Sequence, residues 1–507
     1  VEIFKPIGEV LDAALAARPN APAVEAASGI WTYSELDDQA RRAAGALWSL
    51  GVRPGDRVTA CLPNDLDIVA AFHGAQRIGA IWAGVGEALS AGEQQDIVDL
   101  CGPTVVLSGT HGKVTGPECV GPQRWSELLN SDFEAPDVEP DIDAPAGIAF
   151  TSGTSGRPKA VVHSHRNLLL PGAVLTKSRG WGPELRKGDS FPLTILNLMV
   201  LSTLLTAQAG GCAVVMNRRD ADGLIEWISS RRVTVWNGAP AQLYDLARRP
   251  DADLSTLREV WSGGGDTSDA LRQEFADAHG LIPRVTYGLT EAPTVVSIDP
   301  PDGQWRVRAS GQVLPHFDVA AYDGNNNRLP AGKSGELKLA PSTHGRWAGM
   351  WRPMLGHWGP DGLEATEPGP LPTGDIGTVD ASGWLTVIDR KKLVIIRGGA
   401  NVYPLEVERA ISTHPAVERV AVYPIPDERL GQRVAAVVES SLPSLDFDEL
   451  KEHCRREVSG YKVPETWAQV SALPVNAMGK VQRAGLAEFV EQQRVSSAPK
   501  TSKGTTA

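Results

Sequence analysis

Short apolar runs alternate with helix-periodic stretches through the first 262 residues, and this alternation restricts the fold more than any other feature. Thr32 and Glu35 have the spacing of a capping box, and Leu36, Ala40, Ala43 and Leu47 then recur on one helical face. Gly51 supplies a stop. A strand-like run over residues 57–62, an apolar helix over 67–78 and a strand over 104–107 follow. The pattern continues with 214–216, 224–230, 234–236, a helix after Pro240, and 259–262. Strands alternating with helices predict an α/β fold, with a largely parallel sheet and helices on its faces.

A chain of 507 residues is too long for one core, so two or more domains are expected. The stretch 126–146 is acidic and Pro-rich and reads as an irregular connection. Near residue 389 the pattern changes. Asp389, Arg390, Lys391 and Lys392 form a charge cluster between two apolar runs. Beyond it come a helix over 404–414, strands near 417–424 and 434–439, and a helix over 446–458. That last helix opens on Asp446 and Glu449 and carries Phe447, Leu450, Cys454 and Val458 on one face. The reading is a large domain over 1–388, a hinge at 389–392 and a small α+β domain over 393–495. The tail 496–507 has almost no apolar residues and is expected to be disordered.

The net charge of −12 argues against a nucleic-acid partner, which calls for a basic face. Five scattered cysteines without a CxxC pair suggest neither a zinc site nor a disulfide framework; reduced, buried thiols in a cytoplasmic protein are expected. The N-terminus lacks a signal-peptide pattern, and no run of about 18 apolar residues predicts a membrane span.

Five clusters carry chemistry. Thr151, Ser152, Gly153, Thr154, Ser155 and Gly156, followed by Arg157 and Lys159, combine hydroxyls, flexible backbone and cations, a composition suited to gripping phosphate. It is not a Walker A loop, because Arg157 follows Gly156. Gly263, Gly264, Gly265 and Asp266 follow a strand and leave bare backbone on which a flat group can lie. Tyr287, Gly288, Thr290 and Glu291 place a stacking ring, a hydroxyl and a potential Mg²⁺ carboxylate close together; a strand-end turn has the same composition. Thr373, Gly374 and Asp375 offer a carboxylate to ribose hydroxyls, or form a β-turn. Gly479 before Lys480 suggests a lysine on a loop, a compact charge for a phosphate oxygen or carboxylate.

In this order, from about Trp31 to Lys480, the clusters resemble the adenylate-forming superfamily: acyl-CoA synthetases, adenylation domains of nonribosomal peptide synthetases, and firefly-type luciferases. Acyl-CoA synthetases are the nearest in motifs. Residues 150–159 look like the family's phosphate loop, 287–291 like its aromatic-Gly-x-Thr-Glu motif, Gly335, Glu336 and Leu337 like its core strand, and 389–404 like its hinge and Gly-rich segment. The resemblance implies a large N-terminal domain of layered β-sheets with flanking helices, and a small mobile α+β C-terminal domain. It implies a carboxylate attacking the α-phosphate of ATP to give acyl-AMP, and a thiol then displacing AMP.

On that resemblance Lys480 would bridge the carboxylate and the α-phosphate. Thr151, Ser152, Thr154, Ser155 and Lys159 would hold the outer phosphates, with Thr154 and Glu291 at Mg²⁺. Tyr287 and residues 263–265 would enclose the adenine, and Asp375 with Arg390 the ribose. The small domain would turn about Lys392 and bring Gly398 and Gly399 to the coenzyme A thiol arm. Residues 461–464 resemble a segment frequent in acyl-CoA synthetases, or form a loop before a strand.

Several residues depart from the family pattern. Ala160 replaces a glycine, Pro370, Leu371 and Pro372 replace the usual Gly-Trp, and Leu196 and Asn197 stand where many members carry an aromatic–histidine gate. Residues 191–204 contain no acid to pair an α-ammonium, which favours an acid without an amine. Leu196, Asn197, Leu198, Met199, Trp236 and Ala239 line its hydrophobic pocket, or pack as ordinary core. Trp347, Trp351 and Trp358 form a lid or a surface hairpin. Two readings compete with a coenzyme A ligase. One is an adenylating enzyme that passes its acyl group to a carrier-protein phosphopantetheine or a partner enzyme. The other is a non-catalytic acyl-nucleotide sensor, which would not need Lys480.

Overall fold

The computed structural model describes residues 5–109, 114–136, 138–151, 158–265, 267–475, 481–483 and 485–497. The chain divides into two units. The first is Val1–Ala320, Lys338–Thr373 and Asp380–Leu385; the second is Ala321–Leu337, Gly374–Val379 and Thr386–Ala507.

In the first unit the predicted alternation builds two sheets. One has nine strands among the described residues, in the order Gln312–Val313, Ala292–Ile298, Arg284–Leu289, Glu259–Ser262, Val235–Gly238, Arg186–Asp189, Cys212–Val215, Pro22–Ala26, Gly29–Thr32. Pairing is parallel from Arg284–Leu289 to Pro22–Ala26 and antiparallel at both margins. The other has eight: Gly362–Ala365, Gly356–Gly359, Lys159–Ser164, Pro145–Thr151, Ile81–Gly84, Arg57–Cys61, Val105–Ser108, Cys119–Val120. Here the five strands from Pro145–Thr151 onward are parallel, and the hairpin partners before them antiparallel. Strands such as Ile81–Gly84 and Cys212–Val215 are buried along their whole length, because helices cover both faces.

Local signals act as expected. Helix Tyr33–Ser49 is closed by the Thr32 capping box: the Thr32 N–H donates to Glu35 Oε2 at 2.7 Å, and the Glu35 N–H to Thr32 Oγ1 at 3.2 Å. Such a cap stabilises by about 1 kcal/mol.

In the second unit, the alternation of Gly431–Glu439 sends its residues to two cores. Val434, Ala436 and Val438 pack with Val407, Ile411, Leu450 and Cys454 of helices Pro404–Ser412 and Phe447–Glu457. Ala435 and Val437 face Leu486 and Val490 of helix Leu486–Ser497. Helices on both faces of one central strand give the α+β unit its stability. The unit also holds the ends of four strands, Phe317–Tyr322, Gly335–Pro341, Leu371–Val379 and Leu385–Arg390, adjacent in the order 317–322, 335–341, 371–379, 385–390.

Four local expectations need correction. Helix Pro122–Leu129 enters the stretch read as irregular, since Trp125 and Leu129 give it one buried face. Helix Leu486–Ser497 runs two residues into the expected tail; 498–507 lie outside the described residues. Trp347 and Trp351 are buried, and Trp351 packs on Phe317 at 5.0 Å, so they are neither lid nor surface; only Trp358 lies on the hairpin. All five cysteines are free, as expected, but Cys119 is exposed.

Candidate functional site

Thr151 and Lys159 end two antiparallel strands and pair with each other across the register, so they close the mouth of the predicted phosphate loop. Lys159 is exposed. Ser152, Gly153, Thr154, Ser155, Gly156 and Arg157 lie outside the described residues, as do Asp266 and Lys480.

The strand that leaves this loop carries His163, which the sequence reading passed over. Its ring is fully buried, and burial pulls its pKa down to about 4, so it is neutral at pH 7. Nε2 lies 2.8 Å from the carbonyl oxygen of Thr290; a carbonyl can only accept, so Nε2 carries the hydrogen. Nδ1 has no partner among the described residues. The bond ties the hairpin that flanks the loop, in the eight-stranded sheet, to the turn at Thr290 that joins two strands of the nine-stranded one. The available signal was a histidine inside the apolar strand Lys159–Ser164.

The glycine and tyrosine clusters lie side by side. Strands Glu259–Ser262 and Arg284–Leu289 are parallel neighbours, and Thr286 Oγ1 donates to the Ser262 carbonyl at 3.0 Å. A Cβ on Gly263 would come within 2.3 Å of Thr286 Oγ1, so a side chain there would turn the Thr286 hydroxyl away from the Ser262 carbonyl. Gly264 and Gly265 are exposed and Tyr287 is half-buried. The result is bare backbone at the end of one strand, next to the strand that carries Tyr287.

Gly288 is required by its partner strand: a Cβ there would lie 1.8 Å from the Thr294 carbonyl oxygen. Thr294 takes φ +78, which is strained for a β-branched residue, and its buried hydroxyl has no partner among the described residues. Thr294 was also passed over. Only its place after Glu291 could have drawn attention to it.

The predicted acyl-pocket residues separate into two groups. Leu196, Asn197 and Met199 form the helix Leu196–Met199, which continues as a π-helical turn, Val200–Leu204. Such turns are rare and frequently mark functional sites. Leu196 lies against Gly147, where a Cβ would meet its Cδ2 at 2.8 Å. The Asn197 Oδ1 and Thr194 Oγ1 are buried without partners among the described residues. Trp236, by contrast, belongs to the hydrophobic cluster with Met216, Leu243, Val260 and Phe275, and Ala239 precedes helix Pro240–Ala247.

In the second unit, Asp375 is buried and pairs with Arg390, Nε to Oδ1 at 2.7 Å, so the structure brings these two residues together. Lys392 lies in the 3₁₀ turn Lys391–Leu393. Gly398 and Gly399, at φ +59 and +85, form the two-residue turn between strands Ile395–Arg397 and Ala400–Val402, a geometry in which both central residues need positive φ. Among the described residues no group of three or more His, Cys, Asp or Glu is arranged to hold a metal, and no helix is long and apolar enough to cross a membrane.

Comparison with known proteins agrees with this geometry. Residues 11–342 match the family profile "AMP-binding enzyme", and 406–480 match "AMP-binding enzyme C-terminal domain". The chain is 31% identical to a feruloyl-CoA synthase from Amycolatopsis sp over 480 residues, covering 91% of this chain and 94% of that protein. It is 29% identical to the long-chain-fatty-acid–CoA ligase FadD13 of Mycobacterium tuberculosis over 486 residues, 90% of this chain and 92% of that one. The fold is similar to that of the anthranilate CoA ligase AuaEII in complex with anthranoyl-AMP, with a TM-score of 0.87 over 98% of this chain and 99% of that one at 22% identity. It is also similar to the amide bond synthetase McbA from Marinactinospora thermotolerans, with a TM-score of 0.83 over 96% and 100% at 26% identity.

Proposed function

The chain belongs to the AMP-binding enzyme family and is an AMP-forming acid–thiol ligase of the acyl-CoA synthetase type, and from that premise we propose its substrates and the roles of its residues. The reading is an ATP-dependent carboxylic acid:CoA ligase acting on a hydrophobic acid without an α-amine. The observation that carries it is the gathering, by the His163–Thr290 bond and the Gly263–Thr286 contact, of the loop hairpin, the glycine turn and residues 287–291 around one place.

In this reading adenine lies on the backbone of Gly264 and Gly265 against Tyr287. Lys159 and the hydroxyls of the 151–156 loop take the outer phosphates through charge-assisted hydrogen bonds. A carboxylate approaching a polyanion is repelled, so positive charge is needed where the two meet. Lys480 supplies it on the carboxylate and the α-phosphate. Glu291 and Thr154 suit Mg²⁺, which usually takes one or two protein oxygens beside substrate phosphates. When bound, Mg²⁺ would neutralise charge on the phosphate oxygens. Asp375, already oriented by Arg390, accepts from ribose hydroxyls.

We place the domain boundary at the hinge 389–392, with 1–388 before it and 393–495 after. Rotation about Lys392 then withdraws Lys480 and presents the Gly398–Gly399 turn, whose bare backbone suits a passing thiol arm. The acceptor is coenzyme A in this reading. A carrier-protein phosphopantetheine or a partner enzyme is the alternative, and the likeness to an amide bond synthetase adds an amine as a third acceptor to test.

The test is acid-dependent exchange of labelled pyrophosphate into ATP across aliphatic, aromatic and amino acids. Active acids are then incubated with coenzyme A and the thioester is weighed by mass spectrometry. Exchange with thioester supports the ligase. Exchange without it moves the acceptor elsewhere, and no exchange with any acid favours the nucleotide-sensor reading.

A further inference from the structure

At the end of strand Leu385–Arg390 the chain is held from two sides. Arg390 Nε lies 2.7 Å from Asp375 Oδ1, and Lys391 Nζ 2.8 Å from Glu336 Oε2; both partners come earlier in the chain. Asp389 reaches forward instead. Its Oδ1 accepts from the Arg390 N–H at 2.6 Å, and its Oδ2 from the Leu405 N–H at 2.6 Å. Leu405 is the second residue of helix Pro404–Ser412. Pro404 has no N–H, and Tyr403 gives no side-chain cap, so the Asp389 carboxylate caps this helix from sixteen residues away.

That bond encloses Lys392, Gly398 and Gly399 in a closed loop. The inference rests on the reading of Lys392 as the pivot. If residues after 392 turn relative to those before it, Leu405 moves with the later part while Asp389 stays with Arg390 and Lys391. A hydrogen bond weakens steeply once its distance and angle leave a narrow range, so this one cannot survive the turn. We propose that Asp389 is a positioning residue: its carboxylate latches the hinge by holding Leu405, and rotation about Lys392 opens the latch.

The surroundings make the latch releasable. Asp389 is 3% exposed, and burial pushes its pKa up to about 6 against the opposing effect of its two N–H donors. Glu408, on the capped helix, raises it further, and Arg483, which bonds Glu408 and the Val422 carbonyl, lowers it. The unfavourable burial of the charge offsets part of what the two hydrogen bonds contribute.

The test reads geometry and needs no known acid. Cys119, exposed in the first unit, and an added cysteine from Ser441→Cys, exposed in the second, carry spin labels in the full chain; the other four cysteines are buried. Dipolar distance distributions are measured with and without ATP. The latch predicts a minor second distance whose population rises tenfold or more in Asp389→Ala, and falls back toward wild type in Asp389→Asn, which keeps an acceptor for Leu405. A second population unchanged by Asp389→Ala overturns the latch. Lys392→Pro, which fixes φ at the pivot, is predicted to abolish the second distance. If the second distance survives Lys392→Pro, the pivot reading fails whatever Asp389 does. One distance in every variant overturns both.

Discussion

The Nε2 of His163 lies 2.8 Å from the carbonyl oxygen of Thr290, 127 residues away in the turn between strands Arg284–Leu289 and Ala292–Ile298. The bond fixes one flank of the predicted phosphate loop against residues 287–291. Because the ring is buried and neutral, it acts as a rigid spacer with one donor.

His163→Leu keeps the volume apolar but leaves the Thr290 carbonyl unpaired, a loss of about 1–3 kcal/mol. The expected result is a thermal midpoint lower by several degrees and a KM for ATP raised more than that for the acid. Equal effects on both KM values would make the bond purely structural.

Lys480→Ala is expected to abolish adenylate formation, while thioester formation from supplied acyl-AMP persists. A charge that stabilises developing negative charge in a dry site contributes about 3 kcal/mol or more to the barrier. Half-reaction rates check this; persistence of both would remove Lys480 from the chemistry.

Glu291→Ala is expected to raise the Mg²⁺ concentration needed for half-maximal pyrophosphate exchange about tenfold or more, the loss of one charged ligand. A magnesium titration identical to wild type would take Glu291 out of the metal site.

Asn197→Leu removes a buried oxygen that has no partner among the described residues, so stability should hold or rise by up to about 1 kcal/mol. If that oxygen faces the acyl group, the ratio of kcat/KM between matched acids with and without a hydroxyl shifts about tenfold toward the apolar acid. An unchanged ratio would place Asn197 away from substrate.

Stability should fall on acidification. Burial pulls His163 and His165 down to about 4, and His73 and His316 to about 3, all below the ordinary 6.5. The folded state therefore binds fewer protons, so their contribution is full above pH 6.5 and is lost as pH falls through 6.5 toward those values. Each adds a slope of about 1.4 kcal/mol per pH unit in that window. Asp389 has the opposite sign: raised from 3.8 to about 6, it contributes stability below 3.8 that is lost as pH rises through 6. Urea denaturation between pH 5 and 7 should show the histidine slope, reduced by about one proton in His163→Gln. An unchanged slope would show that His163 does not titrate with unfolding.

The helices and strands of the first unit were legible because periodicity and caps are local. The Thr32 box and the Gly51 stop decided helix Tyr33–Ser49 without help from distant residues. The glycine positions were legible as composition, but their reasons were not. Gly288 is required by the Thr294 backbone and Gly263 faces the Thr286 hydroxyl, partners that approach only when strands pair. Trp351 read as part of a lid or a surface hairpin because nothing near it in sequence announces Phe317, which packs against it. Asp389 read as one charge in a cluster, since the helix it caps begins sixteen residues later.

Sequence by itself determined elements such as helix Tyr33–Ser49 and the residue types at each motif, because short-range sterics and the burial pattern of neighbouring side chains set them. Tertiary structure alone decided that His163 faces Thr290 and that Asp389 holds Leu405. Both bonds join groups whose separation along the chain carries no local signal, and they form only once packed sheets and helices have removed water from around them.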